Sequence, residues 1–334
     1  MDSQFKLDLE IELYWIRHGF SCANLLQQQS TFKSYAKNVV TPDAVLASDG
    51  ESQAKELNKF VNDTGLDKKI DIILCSNLRR AMETALYAFN PSTQSNELEK
   101  RILVVVPFIS EERNIIAKTF NIDKENVSMG FSELKKHYED LQKKNNNTLK
   151  IEVDFSILEE FIKDGVDISP NYDKFVDTVL PKVISKYKSQ VPNLYRFAVV
   201  SHHLFIENNL NKNHDIKFKI KGYKNTEMWV EKINVKTDVK IEFRFNERKY
   251  DKPSICNEEI CRVYDGGVKV QNEAVNLTRC KEYHKGFNVL ENIKIGGNSF
   301  DNVNSFDKVN CPTCEIYYNA YNKYKIKYLN NKSY

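Results

Sequence analysis

The sequence predicts an α/β chain, a three-layer α/β/α sandwich with a mostly parallel central sheet. Two observations carry this. Apolar runs of strand length recur at Glu12–Ile16, Ile70–Cys75, Ile102–Val106 and Arg196–Ser201. Amphipathic stretches at helical spacing lie between them. Strands that alternate with helices pair in parallel, and helices cover both faces of the sheet they form. Ligands of such sheets sit beyond the carboxyl ends of the strands, so the strand-end residues are the ones to inspect.

Each element follows in order. Glu12–Ile16 is a buried strand that runs directly into Arg17-His18-Gly19. Thr41–Gly50 holds the turn and cap residues Pro42, Asp43 and Gly50. Glu51–Val61 places Ala54, Leu57, Phe60 and Val61 at helical spacing. Ile70–Cys75 is the next strand and Leu78–Phe89 its helix, followed by a third strand, Ile102–Val106, closed by Pro107. Residues 110–190 break the alternation with a mostly helical pattern, and read as a cap insertion over the site. Lys143–Lys150 within it is a polar loop. Arg196–Ser201 is again a buried strand, with a helix beginning over Leu204–Leu210. Glu227–Val235 and Val239–Phe245 alternate as an edge hairpin. From about Lys249 the periodicity weakens, so residues 1–248 are read as one domain and 249–334 as a C-terminal extension.

Composition excludes several classes. The 334 residues are 41% hydrophobic and 28% charged, enough for one globular domain with an appendage. A net charge of +3, from 49 basic and 46 acidic residues, gives no electrostatic case for nucleic acid. No apolar run approaches the length of a membrane span, and residues 1–10 lack the pattern of a secretory leader. The expectation is a cytoplasmic protein that does not engage membranes. Seven cysteines, an odd number, point to reduced thiols rather than a disulfide framework. The Cys311-Pro312-Thr313-Cys314 gap and the Cys256/Cys261 pair leave two readings open, a structural zinc site or partly buried thiols. No other cofactor is expected. Tyr317, Tyr321, Tyr324 and Tyr328 form one helical stripe, read as packing on the main domain.

Three strand ends carry the chemistry. They are Arg17-His18-Gly19, continuing to Ser21 and Asn24; Ser76 to Arg80; and Ser201-His202-His203. Together they bring arginines, histidines and an asparagine into one crevice. Guanidinium forks match phosphate oxygens, and a neutral imidazole can attack phosphorus. A glycine after the first histidine allows a close backbone approach to the phosphate.

These blocks resemble the histidine phosphatase superfamily, in its phosphoglycerate mutase-like branch. Arg17-His18-Gly19 with Asn24 matches the first family block. Asp43, Leu46, Gly50, Gln53 and Ala54 match the second, and Ser76, Leu78, Arg80, Ala81, Thr84 and Ala85 the third. Val200-Ser201-His202 and Asn225-Thr226 match the late blocks. The resemblance covers roughly residues 10–245. It implies that His18 is phosphorylated transiently, that Arg17, Arg80 and His202 bind the phosphate with Asn24 assisting, and that an acid after the third strand protonates the leaving alcohol. The family pattern places that acid at Glu111, with Glu112 as its rival.

Other residues carry plainer expectations. Ser21 is a phosphate ligand or a helix cap. His203 adds a donor to the pocket or shapes its wall. Arg79 is read as a solvated helix-start residue, Glu83 as a helix-surface acid, and His137 and His214 as surface residues. No Trp precedes Asn24, where mutases carry one, which favours a phosphatase over a mutase. A catalytically silent module that binds a phosphorylated ligand is the reading from another class. The expected substrate is a small-molecule or protein phosphomonoester.

Overall fold

The computed structural model describes residues 6–28, 42–91, 101–112, 124–146, 148–189, 195–214, 220, 222–238, 244–256, 260–266, 275–276 and 278–280. Its strands are β1 (Lys6–Arg17), β2 (Ile72–Ser76), β3 (Arg101–Val106), β4 (Ile151–Asp154), β5 (Arg196–Ser201), β6 (Met228–Asp238), β7 (Arg244–Asp251) and β8 (Ile260–Tyr264). The helices of the first half are α1 (Cys22–Gln28), α2 (Ser48–Asp63), α3 (Arg79–Ala88) and α4 (Phe131–Lys144). After them come α5 (Ser156–Lys163), α6 (Tyr172–Lys174), a π-helical stretch (Phe175–Val179), α7 (Leu180–Tyr187) and α8 (His203–Asn213).

The sheet runs β4-β3-β2-β5-β1-β6-β7, with β8 also paired to β6. Strands β1 to β5 pair in parallel. Strand β6 joins β1 antiparallel, and β7 and β8 join β6 in the same sense. The expected sandwich and its edge hairpin are therefore the observed architecture. Period-two alternation on β1 divides the core. Leu9, Ile11, Leu13 and Trp15 pack on one face beneath residues 175–187 and α8. Tyr14 and Ile16 pack on the other, with α2 and α3. Central β2 is buried along its whole length, which is why it reads as an unbroken apolar run.

Trp15 anchors the first face, with ring centroids 5.6–6.0 Å from Tyr172, Phe175 and Phe205. Each such aromatic pair contributes roughly 0.5–1.5 kcal/mol beyond area burial. Behind it lies a buried carboxylate. Glu231 accepts from Trp15 Nε1 at 2.7 Å and from Tyr172 Oη at 2.6 Å, and pairs with His214 Nε2 at 2.7 Å. His214, expected at the surface, is therefore a core residue. Its polar sequence neighbours gave no sign of a carboxylate arriving from β6.

Two expectations about organisation are corrected. Within the 110–190 segment, the described residues 148–189 do not stand apart from the sheet. Strand β4 pairs with β3 and extends the main sheet, and residues 175–187 form its covering layer. The run of Phe175, Val176, Val179, Leu180, Val183 and Ile184 has to be buried, and the sheet is what buries it. Nor does the fold stop at Lys249, since β7 crosses that point and β8 returns to β6.

The cysteines also differ from expectation. Cys22 is bonded to Cys280, and Cys256 to Cys261, while Cys75 is a buried free thiol whose pKa burial pushes up. A zinc site that uses Cys256 and Cys261 is thereby corrected, because each sulfur is bonded to the other. Among the described residues no cluster of three or more metal-ligating side chains occurs. Cys311, Cys314 and the tyrosine stripe lie outside the described residues.

The Cys22–Cys280 bond ties α1, which follows the strand end at His18, to residues 275–280. Asn276 Oδ1 accepts from Asp49 N at 2.9 Å, and Arg279 pairs with Glu51 and Glu83. With its cysteines 258 positions apart, the bond restricts the unfolded chain by about 5 kcal/mol in the loop-entropy picture. Reductant, or Cys280→Ser, is expected to lower Tm by roughly 10 °C or more. An unchanged melting curve would show that this bond does not form in solution.

Candidate active site

The sheet register brings four strand ends to one edge. Arg17 pairs with Ser201, Cys75 with Val200, and Ser76 with Val106. The His18 amide then donates to Ser201 O at 3.0 Å, so the turns after β1 and β5 start level.

The turn after His18 is held by three residues of the sequence blocks. Gly19 N donates to Thr84 Oγ1 at 2.9 Å, and Phe20 N to Gln53 Oε1 at 2.8 Å. Thr84 Oγ1 in turn donates to Arg80 O at 2.7 Å. Gly19 is also required by its packing against α2. A Cβ there would meet Gly50 O at 2.6 Å, and one on Gly50 would meet Phe20 O at 2.0 Å. Both glycines exist so that two backbone segments can touch. Gly50→Ala is expected to cost roughly 1–3 kcal/mol or more and to displace the turn. A variant with unchanged Tm and activity would contradict this.

His18 is 3% exposed. Its Nδ1 lies 2.7 Å from Gly19 O, and a carbonyl can only accept, so Nδ1 carries the proton. Arg80 Nε donates to His18 Nε2 at 3.1 Å, which marks that nitrogen as the lone-pair side. Burial, then Arg80 and Arg17, hold the pKa of His18 well below its ordinary value, so the ring is neutral near pH 7. The His202 ring lies 5.0 Å from that of His18, and the same influences, burial first, lower its pKa.

The two arginines are held differently. Arg17 NH1 donates to Tyr223 O, whereas its buried Nε has no partner. Burial pushes its pKa down to about 10, and it stays charged at neutral pH. Arg80 spends NH1 on Glu125 O at 2.7 Å and NH2 on Asn126 Oδ1 at 2.6 Å. Sequence reasoning missed these two contacts, because the 110–190 segment carries no motif that signals them.

The two acid candidates occupy different surroundings. Glu111 Oε1 accepts from the amides of Glu112 and Leu204, both at 3.1 Å. Burial raises its pKa against the pull of Arg80, Arg17 and His203, all close enough to act on it. Glu112 instead accepts from Asn208 Nδ2 at 2.7 Å, on α8. His203 is half-buried and pairs with Glu207 at 2.7 Å.

Ser21 is the cap of α1. Its Oγ accepts from Asn24 N at 3.2 Å, while its own amide donates to Asn24 Oδ1 at 3.1 Å. That reciprocal bond fits the reading of Ser21 as a helix cap. Asn24 keeps its Nδ2 as a donor, with its oxygen also reached by Asn225 Nδ2 at 3.4 Å. Asn225 had no role from sequence, yet it donates to His18 O at 2.9 Å and so clamps the turn.

Glu83 is buried, and Arg79 and His137 are partly buried, each with a protein partner. Arg79 donates to Asp43 O at 2.8 Å from Nε, and its amide donates to Asp43 Oδ1 at 2.8 Å. Buried Glu83 accepts from Leu46 N at 2.8 Å and pairs with His137 Nε2 at 2.8 Å. These contacts join the 42–50 segment to α3 behind the site. All of them are long-range in sequence, so local patterning could not show them.

Comparison with known proteins follows the same lines. Residues 13–102 match the family model of the histidine phosphatase superfamily (branch 1). No match is found among curated proteins. Among solved structures, the chain is similar to a phosphoserine phosphatase of Entamoeba histolytica in complex with 3-phosphoglyceric acid. That match has 16% identity, 72% of this chain and 98% of that one covered, and a TM-score of 0.32. An alpha-ribazole phosphatase of Shigella flexneri matches at 15% identity, 71% and 95% coverage, and a TM-score of 0.32. A phosphoglycerate mutase of Bacillus anthracis matches at 19% identity, 70% and 93% coverage, and a TM-score of 0.34. The resemblance read from the strand-end blocks is borne out by the superfamily model, whose match over residues 13–102 includes Arg17, His18, Asn24 and Arg80.

Proposed function

We propose that this protein hydrolyses phosphate monoesters through a phosphohistidine on His18. The observation that carries the reading is the state of the His18 ring. It is neutral, with its proton held on Nδ1 by Gly19 O, and it keeps the Nε2 lone pair beside the guanidinium of buried Arg80, with Arg17 also close enough to act on it.

The chemistry follows from that arrangement. Nε2 attacks phosphorus, a P–N bond forms, and the P–O bond to the alcohol breaks. Charge on the phosphoryl oxygens is met by Arg17, by Arg80 as it turns from Nε2, and by His202. Burial raises the pKa of Glu111, which favours the protonated form that can give its proton to the departing alkoxide. Glu111 then takes a proton from the water that attacks phosphorus, which releases phosphate and restores Nε2. Asn24 Nδ2 adds a donor, and half-buried His203 with Glu207 shapes the rim. The substrate class is a small-molecule or protein phosphomonoester.

The test is a rapid-quench reaction with an aryl phosphate, in which an acid-labile, base-stable phosphoenzyme should form and map to His18. Turnover without such a species, or a label on another residue, would remove the proposal. Interconversion of phosphoglycerates without phosphate release would favour a mutase, and phosphate binding without turnover a silent module.

A further inference from the structure

We infer that Ser76 is a positioning residue that fixes the tautomer of His202, so that His202 Nδ1–H is the donor offered to a phosphoryl oxygen. The inference rests on the phosphatase reading for the identity of the anion, but not for the state of the ring.

The geometry is closed on one side. Ser76 ends β2, and its Oγ lies 2.7 Å from His202 Nε2. Both residues are fully buried. Ser76 Oγ also accepts from Leu78 N at 3.2 Å, within the turn that leads to α3. A hydroxyl that accepts an amide keeps its own proton to give, and Nε2 is the side-chain acceptor within reach. Nε2 therefore holds a lone pair.

A neutral imidazole has one N–H, and the low pKa of His202 keeps the ring neutral. With Nε2 accepting, the proton sits on Nδ1. That atom is buried and has no hydrogen-bond partner. The opposite tautomer would leave the serine proton without an acceptor and turn a bare lone pair on Nδ1 towards an incoming anion. A buried donor without a partner is costly, and an anionic oxygen is the acceptor that best relieves it. Arg17 Nε is a second buried N–H without a partner in the same strand-end cluster. Two orphan donors of one polarity, beside a nucleophilic ring 5.0 Å from His202, fit a phosphoryl group.

The arrangement also separates the two histidines by role. His18 protonates Nδ1 because a backbone carbonyl accepts there, which leaves the lone pair on Nε2, facing Arg80 Nε. His202 protonates Nδ1 because a serine occupies Nε2, which exposes an N–H. One residue type thus supplies a nucleophile and a donor, set apart by what each ring's buried nitrogen meets.

Long-range 1H–15N correlation spectra of the full-length protein, without substrate, test the ring directly. The expected result is a neutral His202 protonated at Nδ1. In Ser76→Ala the ring should lose that preference, and orthovanadate should bind roughly tenfold more weakly. Ser76→Thr keeps a hydroxyl and should restore both. In turnover, Ser76→Ala should lower kcat more than it raises KM. A wild-type ring protonated at Nε2 overturns the inference, as does Ser76→Ala with tautomer and vanadate affinity unchanged. Failure of the phosphatase reading shows separately, as absent phosphoenzyme with the His202 tautomer still as stated.

Discussion

His18→Ala should abolish turnover of phosphate monoesters, by roughly 10⁴- to 10⁶-fold in kcat, the range expected when a covalent nucleophile is removed. The fold should survive. His18 is buried, but its side-chain bonds are to the adjacent carbonyl and to Arg80, and the turn is held through backbone groups by Thr84, Gln53 and Asn225. Circular dichroism and Tm close to wild type should therefore accompany the loss. Vanadate or phosphate should still bind, since Arg17, Arg80 and His202 remain. A variant that keeps even a tenth of wild-type kcat would show that His18 is not the nucleophile.

Glu111→Gln carries the second largest effect, and its signature is selective. An alkyl leaving group needs a proton, whereas a nitrophenolate does not. Loss of the acid should slow alkyl phosphates by roughly 10²- to 10⁴-fold and leave activated aryl phosphates much closer to wild type. The pH profile gives the sign. Glu111 must be protonated to act as an acid, and its pKa is raised, so turnover of alkyl esters falls as pH climbs through that raised value. His18 must be neutral, and its pKa is lowered, so the acid limb lies well below pH 6.5. Wild type should thus show a plateau bounded by the lowered pKa of His18 and the raised pKa of Glu111. Glu111→Gln should lose the alkaline limb attributed to Glu111. If Glu112→Gln reproduces this behaviour and Glu111→Gln does not, the two acids exchange roles.

Much of the site was legible because phosphoryl chemistry needs a recognisable set of groups, and parallel sheets present them at strand ends. Arg17-His18-Gly19, Arg80 and Ser201-His202 each follow a buried strand, and the register of β1, β2 and β5 makes them neighbours. The blocks around them were legible as matches but not as mechanisms. Gly50 read as a turn residue, while the structure makes it a point of contact with the Phe20 backbone. Thr84 and Gln53 read as motif positions, while the structure makes them the anchors of two amides.

What the sequence determined alone was therefore the alternation of strands and helices, the polarity of the sheet, and the identity of the groups at its carboxyl edge. These follow from local periodicity and from chemistry that tolerates few residue types. Tertiary structure alone decided which ring nitrogen carries each proton, which acid stands beside the arginines, and which cysteines meet. It also decided that β4 and residues 175–187 belong to the sandwich. Each of those depends on partners tens to hundreds of positions away, such as Ser76 on His202 and Cys280 on Cys22. A local pattern records the type of a side chain, but only the packed chain supplies the neighbour that sets its charge, its proton and its role.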